Sequence, residues 1–225
     1  LCAIPHGSGN TKAISDYLVR FAAARGLRHI QDAHNNVIIF CPGTPGYEAA
    51  APVILQGHMD MVCETAPDCA KDMTSEGLDL FIDGDTIGAR GTTLGGDDGI
   101  AVAMALAILD ADDIPHPPLE VVLTVDEETG MLGADALDTS VLQGRTMLNL
   151  DSEDEGILTV SCAGGNVSVC TLPVTRAAFP GTALTVTVGG LLGGHSGAEI
   201  DKGRGNANQL LGRVLYAVGA RTALR

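Results

Sequence analysis

The sequence predicts an α/β fold followed by the beginning of a second, α+β domain. Over residues 1–165, short apolar runs alternate with helical segments, which is typical of a sheet covered by helices on both faces. After "SCAGG" (161–165), apolar and polar residues alternate instead, as they do in strands with one exposed face. We therefore predict two domains, 1–165 and 166–225, with the boundary near residue 165.

The first element is predicted to be an amphipathic helix. The polar stretch "SGNT" (8–11) supplies an N-cap for "KAISDYLVRFAAARG" (12–26), because such side chains accept bonds from the first free N–H groups. Gly26 suits the C-terminal turn. The residues that share the apolar face of this helix are Ile14, Leu18, Phe21 and Ala22.

Further elements of the first domain are short strands and one apolar helix. A hairpin is predicted around Asp83-Gly84 in "LFIDGDTIGA" (80–89). "GIAVAMALAIL" (99–109) is apolar nearly all round, which predicts a buried helix. The runs predicted to be strands are "NVIIF" (36–40), "VILQG" (53–57), "LEVVLTV" (119–125) and "TMLNL" (146–150).

The second domain is predicted to contain strands and a helix. The alternating runs "VSVCTLPV" (167–174) and "ALTVTVGG" (183–190) predict strands. After a glycine-rich turn, "NANQLLGRVLYAV" (206–218) predicts a helix.

Composition excludes several classes of protein. The net charge of -15 disfavours nucleic acid and anionic membranes as partners. The apolar runs are too short or too interrupted to span a bilayer, and no signal peptide is visible. The six cysteines lack zinc-finger spacing, so we expect free, reduced thiols and a cytoplasmic location. The chain begins at Leu1 without a methionine, and we expect it to be a piece of a longer protein.

Acidic residues and one histidine follow the predicted strands. His58 and Asp60 follow the second run, Asp126-Glu127-Glu128 follow the third, and Asp151 follows the fourth. Asp97-Asp98 lies between a glycine pair and the apolar helix. Because ligands of open α/β sheets bind outside the carboxyl ends of the strands, these groups are expected to converge.

Divalent cations would remove the repulsion among such carboxylates. One imidazole with several carboxylates and no thiol suits Zn²⁺, Mn²⁺ or Co²⁺. The excess of oxygen ligands favours two metals that share a carboxylate, and the chemistry that follows is hydrolysis.

Each acidic group also has a structural interpretation. Asp97-Asp98 could be a helix N-cap, Asp126-Glu127-Glu128 a solvated turn, and Asp151 part of an exposed acidic run. Calcium loops starting at Asp83 or Asp151 are excluded, because the twelfth position lacks the closing glutamate. Each structural interpretation can hold for one group, but all four groups standing at element ends by chance is much less expected.

Five motifs in order resemble the M20 metallopeptidases, and among them the dipeptidase branch. They are "GHMDMV", "GTTLGGDDGIAVA", "TVDEETGMLGA", "LNLDSEDEG" and "GGHSGAEI". The resemblance extends over essentially the whole chain. It implies a zinc-peptidase-like α/β/α catalytic domain with a mixed sheet, followed by the start of an α+β lid or dimerisation domain, and hydrolysis of dipeptides by a di-zinc site.

The resemblance also implies residue roles. His58 and Asp151 correspond to ligands of one zinc, Asp97 to a bridging carboxylate and Glu128 to a ligand of the second zinc. The Asp97–Asp98 peptide bond is cis in relatives.

Three further residues are implied to act in catalysis. Asp60 corresponds to the acid that orients the histidine. Glu127 corresponds to the general base, and His195 to a lid histidine that stabilises the oxyanion. In dimeric relatives that histidine reaches the partner subunit's active site, so a homodimer is implied for the full-length protein.

One departure bears on activity. In the family the second zinc takes a histidine that follows the lid, and here no histidine follows His195. The resemblance therefore covers the N-terminal half of such an enzyme, and we expect this polypeptide alone to be poorly active or inactive.

Three alternatives stay open. A serine hydrolase would need a G-x-S-x-G elbow, and "GGHSGA" fails at Ala198. A non-catalytic fragment that binds metal is the second. The third is another M20 activity, as an aminoacylase, tripeptidase or deacetylase.

Overall fold

The computed structural model describes residues 1–152, 154–162, 164, 166, 168–178, 180–194 and 199–222. The chain forms two compact units, residues 1–155 and 156–225. The domain boundary near residue 165 and the assignment of catalytic and lid domains remain predictions.

The first unit is built on a mixed sheet of five strands. They are β1 (Arg28–Gln31), β2 (Val37–Cys41), β3 (Val53–His58), β6 (Leu119–Thr124) and β7 (Thr146–Asn149). Their order in the sheet is β1-β2-β6-β3-β7. The strands β6, β3 and β7 are mutually parallel, whereas β1 and β2 are antiparallel to their neighbours. The predicted hairpin forms a separate antiparallel pair of β4 (Leu80–Asp83) and β5 (Thr86–Ala89).

Helical segments pack against both faces of the sheet. Helix α1 (Lys12–Ala24) and helix α2 (Gly96–Asp110) bury aliphatic side chains against β2, β3 and β6. Ile14 and Leu18 of α1 are at most 1% exposed. The opposite face, centred on Ile38, Ile54 and Val122, packs against Leu137, Val141 and Leu142, which lie at or near helix α3 (Leu132–Ala136) and a 3₁₀ turn at Thr139–Val141. The predicted α/β/α fold with a mixed sheet is confirmed.

Two local predictions need correction. The N-cap of α1 is Thr11, which makes no capping hydrogen bond through its side chain. Ser8 does not cap the helix, because its hydroxyl is bonded to Asp60. Helix α2 was predicted to be buried because it is apolar nearly all round, yet Ile100 is 56% and Met104 52% exposed. The sheet covers only the face that carries Ala101, Val102 and Ala105.

Strand β1 was not predicted. Its sequence, "RHIQ" (28–31), is half exposed and mostly polar, so hydrophobic periodicity gives no signal there. It forms because its backbone pairs with the edge of β2.

The second unit contains a 3₁₀ turn at Ile200–Lys202 and helix α4 (Ala207–Gly219). The predicted helix is confirmed, with the Asn206 side chain accepting from the Gln209 N–H. The strands predicted at 167–174 and 183–190 are absent from the described residues of those runs. Val169 and Leu184 are 86% and 84% exposed, so the alternating pattern there has no apolar layer to pack against.

Two further observations concern the cysteines and the lengths of the helices. All six cysteines are free. Within the ranges that the structure describes, no helix is long and apolar enough to cross a membrane.

Close packing of α2 on β3 sets the first testable expectation. A Cβ atom on Gly57 would lie 2.6 Å from both the Ala101 Cβ and the Asp98 Oδ2. We expect Gly57→Ala to lower the free energy of unfolding by about 1–3 kcal/mol, as overpacking does. Urea denaturation measures it.

The matched control is a glycine of helix α2, Gly99. A Cβ atom on Gly99 would meet open space, with no neighbouring atom within 4 Å, so Gly99→Ala should stabilise the helix by about 0.5–1 kcal/mol. Equal stability of Gly57→Ala and the unchanged protein would show that α2 is not held this closely against β3.

Candidate metal centre

The carboxyl ends of three adjacent parallel strands meet at one edge of the sheet. β3 is the middle strand of the three and ends in His58, which is paired in register with Thr124 of β6. Beyond β6 the chain continues into Asp126, Glu127 and Glu128, and beyond β7 into Asp151. The predicted convergence of the strand ends is therefore present in the fold.

His58 lies at the centre of these groups. Its ring is 1% exposed, and its Nε2 lies 2.9 Å from Asp97 Oδ1, 3.9 Å from Asp151 Oδ2 and 4.0 Å from Glu127 Oε2. On the other side of the ring, Nδ1 lies 3.0 Å from the Asp60 carbonyl oxygen and 3.4 Å from Asp60 Oδ1. With Nδ1–H donated to Asp60, Nε2 is the ring nitrogen that faces the carboxylates.

Asp60 connects the strand ends to one another. It is 1% exposed, and its carboxylate accepts the Ser8 hydroxyl at 2.8 Å and the N–H groups of Glu127 and Glu128 at 3.1 and 3.4 Å. Burial raises the pKa of Asp60, but the interaction with His58 and the bonds from Ser8 and the Glu127 N–H outweigh it and hold the pKa below its usual value. Asp60 is thus an ionised acceptor that fixes both the histidine and the loop after β6.

The start of α2 contributes the remaining acids. Asp97 and Asp98 have non-helical backbone angles, and the peptide bond between them is cis. The Asp97 side chain is exposed to solvent and contacts His58 Nε2. Asp98 is buried, and the Asp98 Oδ2 accepts the His58 backbone N–H at 3.1 Å. The two neighbouring side chains therefore leave the backbone toward different parts of the site.

Two groups of side chains could each hold a cation. They are His58, Asp97 and Glu128, and His58, Asp98 and Asp151, with one ligand atom of each residue within 4.8 Å of the others. Ligand atoms about 2.0–2.2 Å from a tetrahedral zinc ion lie roughly 3.3–3.6 Å apart. The 2.9 and 3.9 Å separations at His58 Nε2 bracket that range, so the residues present fit a divalent cation.

The electrostatics of the centre favour a positive charge at Nε2. Burial disfavours the imidazolium, but Asp60, Asp97 and Asp151 outweigh it and raise the pKa of His58 to about 10. A proton on Nε2 therefore takes the place that a cation would occupy.

The pKa values of several of the acids are raised. Burial, with smaller contributions from Asp151 and Asp97, raises the pKa of Asp98 to about 7 against the opposing His58 N–H. Burial and neighbouring carboxylates also raise the pKa values of Glu127 and Glu128. Crowding of like charges is the condition that a bound cation relieves.

The structure brings together six of the seven predicted site residues, namely His58, Asp60, Asp97, Glu127, Glu128 and Asp151. The seventh, His195, lies outside the described residues. Asp126 turns away from the centre, and its Oδ1 accepts the Gly9 N–H. The roles of the six residues remain proposals.

Two residues at the centre were not predicted to act there. Ser8 was assigned to a helix cap, and its bond to Asp60 joins residues 52 apart in the chain, which no local pattern reveals. Asp98 was considered only together with Asp97. The glycines on both sides of the pair, Gly96 and Gly99, were the available sign that the backbone there is unusual.

The fold and the centre define an α/β protein with a candidate site for divalent cations at the carboxyl edge of its sheet. The chain belongs to peptidase family M20/M25/M40, whose family model matches residues 54–204. The predicted family is confirmed.

Individual relatives agree with this assignment. The chain is 44% identical over 217 residues to the cytosol non-specific dipeptidase of Escherichia coli (strain K12), covering 96% of this chain and 45% of the relative. The crystal structure of aminoacylhistidine dipeptidase from Vibrio alginolyticus matches with a TM-score of 0.71 at 40% identity, covering 95% of this chain and 44% of that one. A tripeptidase from Staphylococcus aureus matches with a TM-score of 0.57 at 25% identity, covering 68% and 41%. The chain thus spans less than half the length of the relatives it matches.

Proposed function

We propose that this chain carries the catalytic metal centre of a dipeptidase that hydrolyses the peptide bond of dipeptides, including Xaa-His. The observation that carries the proposal is the placement of one buried imidazole among carboxylates from three adjacent strand ends and the start of α2. The names of the relatives from Escherichia coli and Vibrio alginolyticus support a dipeptide substrate.

His58, Asp97, Glu128 and Asp151 are the proposed ligands of Zn²⁺, with Mn²⁺ or Co²⁺ as alternatives that suit the same donors. When bound, such a cation acts as a Lewis acid and makes water more acidic. Asp60 holds the His58 ring with Nε2 directed at the ligand site, which is the usual task of an acid behind a metal-binding histidine.

His58 can supply its imidazole to one cation at a time. His58 is common to both groups of candidate ligands, and one Nε2 atom binds one cation. The described residues therefore supply an imidazole to one cation, and a second would have oxygen ligands such as Asp97 and Glu128.

Glu127 is the proposed general base. Its side chain is 35% exposed and its Oε2 lies 4.0 Å from His58 Nε2, so it faces the ligand site without being buried in it. Burial and the carboxylates of Asp151 and Asp60 raise its pKa, which moves it toward the range in which a base works best near neutral pH. It would take a proton from the attacking water and pass it to the leaving amine.

A cavity next to the centre supports a small peptide substrate. It has a volume of about 350 Å³, and its walls include Glu128, Thr129, Met61, Val62 and Met73. The apolar part of this wall suits an amino-acid side chain, while Glu128 marks the end nearest the proposed cation.

Three further parts of the proposal come from the family. We propose His195 as an oxyanion-stabilising residue, a homodimer for the full-length protein, and a cytoplasmic location. The name of the Escherichia coli relative, a cytosol dipeptidase, supports the location.

The direct test replaces the base. Because the unchanged chain is expected to be slow, the assays are single-turnover, with Zn²⁺ and a dipeptide. Glu127→Gln should lower the remaining rate of hydrolysis by at least about 100-fold, the effect typical of a lost general base. Its Zn²⁺ affinity should be retained. Glu48→Gln, a change at an exposed residue, serves as the matched control and should have no effect.

The same assay separates the alternatives. A tripeptide and an N-acetyl amino acid are run beside the dipeptide, and faster turnover of either would replace the dipeptide as the substrate class. Zn²⁺ binding without hydrolysis of any of them would mean that this chain binds metal but does not catalyse.

A further inference from the structure

The loop after β6 carries two of the proposed functional groups, Glu127 and Glu128. The loop is closed at its base, where the Gly133 N–H donates to the Val125 carbonyl at 3.0 Å and the Leu132 N–H to the Asp126 carbonyl at 3.2 Å. Since both glutamates leave this one loop, their distance from His58 depends on how the base of the loop is held.

The Asn36 side chain makes hydrogen bonds to the base of this loop. It lies just before β2 and is 1% exposed. Its Oδ1 accepts the Val125 N–H at 3.1 Å, and its Nδ2 donates to the Gly133 carbonyl at 2.9 Å. One buried side chain therefore bonds to both ends of the loop.

The orientation of the Asn36 amide is determined by its surroundings. Nδ2 also donates to Asp32 Oδ2 at 2.7 Å, and the Asn36 backbone N–H donates to Asp32 Oδ1 at 2.9 Å. An amide turned over would set an oxygen against the carboxylate of Asp32 and the carbonyl of Gly133, so only one orientation satisfies every partner.

Packing leaves no space at this point for a different arrangement. A Cβ atom on Gly133 would lie 2.5 Å from Asn36 Oδ1 and 2.3 Å from the Val125 carbonyl oxygen. The absence of a side chain at Gly133 lets helix α3 approach closely enough for the amide bridge to form.

We propose that Asn36 is a positioning residue that fixes the 125–133 loop relative to the sheet. Through the loop it sets the placement of Glu127 and Glu128 opposite His58. Asp60 fixes the same loop on the side of the metal centre, where its carboxylate accepts the N–H groups of both glutamates. The consequence for metal binding rests on the proposed function, whereas the hold on the loop does not.

The test is Asn36→Asp. The new carboxylate still accepts from Val125 but cannot donate to Gly133, and it faces the carboxylate of Asp32. We expect Co²⁺ affinity to fall about 10–100-fold, the loss typical of changing a partner of a metal ligand, with an altered visible spectrum of the bound Co²⁺. Amide hydrogen exchange in residues 125–133, followed by mass spectrometry without added metal, should become faster.

Glu120→Gln is the matched control. Glu120 is also a buried polar side chain, 5% exposed, that bonds to loop backbone, accepting the N–H groups of Gln143 and Gly144. It lies at the opposite end of β6 from the metal centre. It should lower stability without changing the Co²⁺ spectrum or exchange in the 125–133 loop.

The outcomes are distinct. Unchanged Co²⁺ affinity and loop exchange in Asn36→Asp would overturn the proposal, as would equal effects from Glu120→Gln. If Asn36→Asp does not fold, Asp32→Asn, which removes the charge that orients the amide, should give smaller changes in the same direction. If the unchanged chain binds no Co²⁺, the proposed function fails, and loop exchange still decides the role of Asn36.

Discussion

Replacing His58 with alanine is expected to lower the affinity for Zn²⁺ by more than about 100-fold, a loss larger than that from changing a partner of a metal ligand. The reason is that His58 is the imidazole in both groups of candidate ligands. Carboxylates alone bind zinc more weakly than a set that includes imidazole nitrogen. Competition with a chromophoric chelator measures the affinity.

The control for this change is His34→Ala. His34 is exposed, and it belongs to neither group of candidate ligands. It should bind Zn²⁺ as the unchanged chain does. Equal affinity in His58→Ala and His34→Ala would show that zinc binds elsewhere, and circular dichroism of His58→Ala establishes that the variant is folded.

The second large effect is a steep dependence of metal affinity on pH. In the cation-free protein the pKa of His58 is raised to about 10, so its ring carries a proton at neutral pH that a cation must displace. Apparent affinity should therefore rise with pH, by about tenfold per unit for one displaced proton and about 100-fold from pH 6 to pH 8. The pKa of Asp98, raised to about 7, steepens the rise at its lower end.

Zinc titrations at about pH 6, 7 and 8 in buffers that do not bind the metal test this dependence. His34→Ala should show the same slope as the unchanged chain. An affinity that is constant over this range would mean that no proton leaves on binding, and the protonated His58 of the cation-free state would then be wrong.

The central part of the fold could be predicted because each strand is marked by the composition of its own residues. The strands β2, β3 and β6 are mostly apolar and most of their residues are buried. Acids that follow β3 and β6 mark the ends of those two strands. Because β3, β6 and β7 are parallel, those ends meet at one edge. Sequence order and strand composition were enough to place His58 near Glu127 and Asp151.

What could not be predicted depends on partners distant in sequence. Strand β1 forms from polar residues because β2 offers an edge. Ser8 bonds to Asp60, and Asn36 to Val125 and Gly133, across separations of 52, 89 and 97 residues. Composition near Ser8 or Asn36 does not indicate these bonds, since a polar residue before a helix or strand is ordinarily a cap or a turn.

The strand predictions for the second unit failed for a related reason. An alternating pattern stabilises a strand only when a neighbouring strand and an apolar layer are present. Helix α4 needs neither to form its hydrogen bonds, and the Asn206 side chain caps its first turn.

The most direct measurement is a crystal structure of this chain soaked in Zn²⁺, with the metal located by anomalous scattering. We expect a zinc ion about 2.0–2.1 Å from His58 Nε2, with carboxylate oxygens of Asp97, Glu128 or Asp151 completing its ligands. Zinc found only at exposed carboxylates away from His58, or none at all, would contradict the assignment of a metal centre to this edge of the sheet.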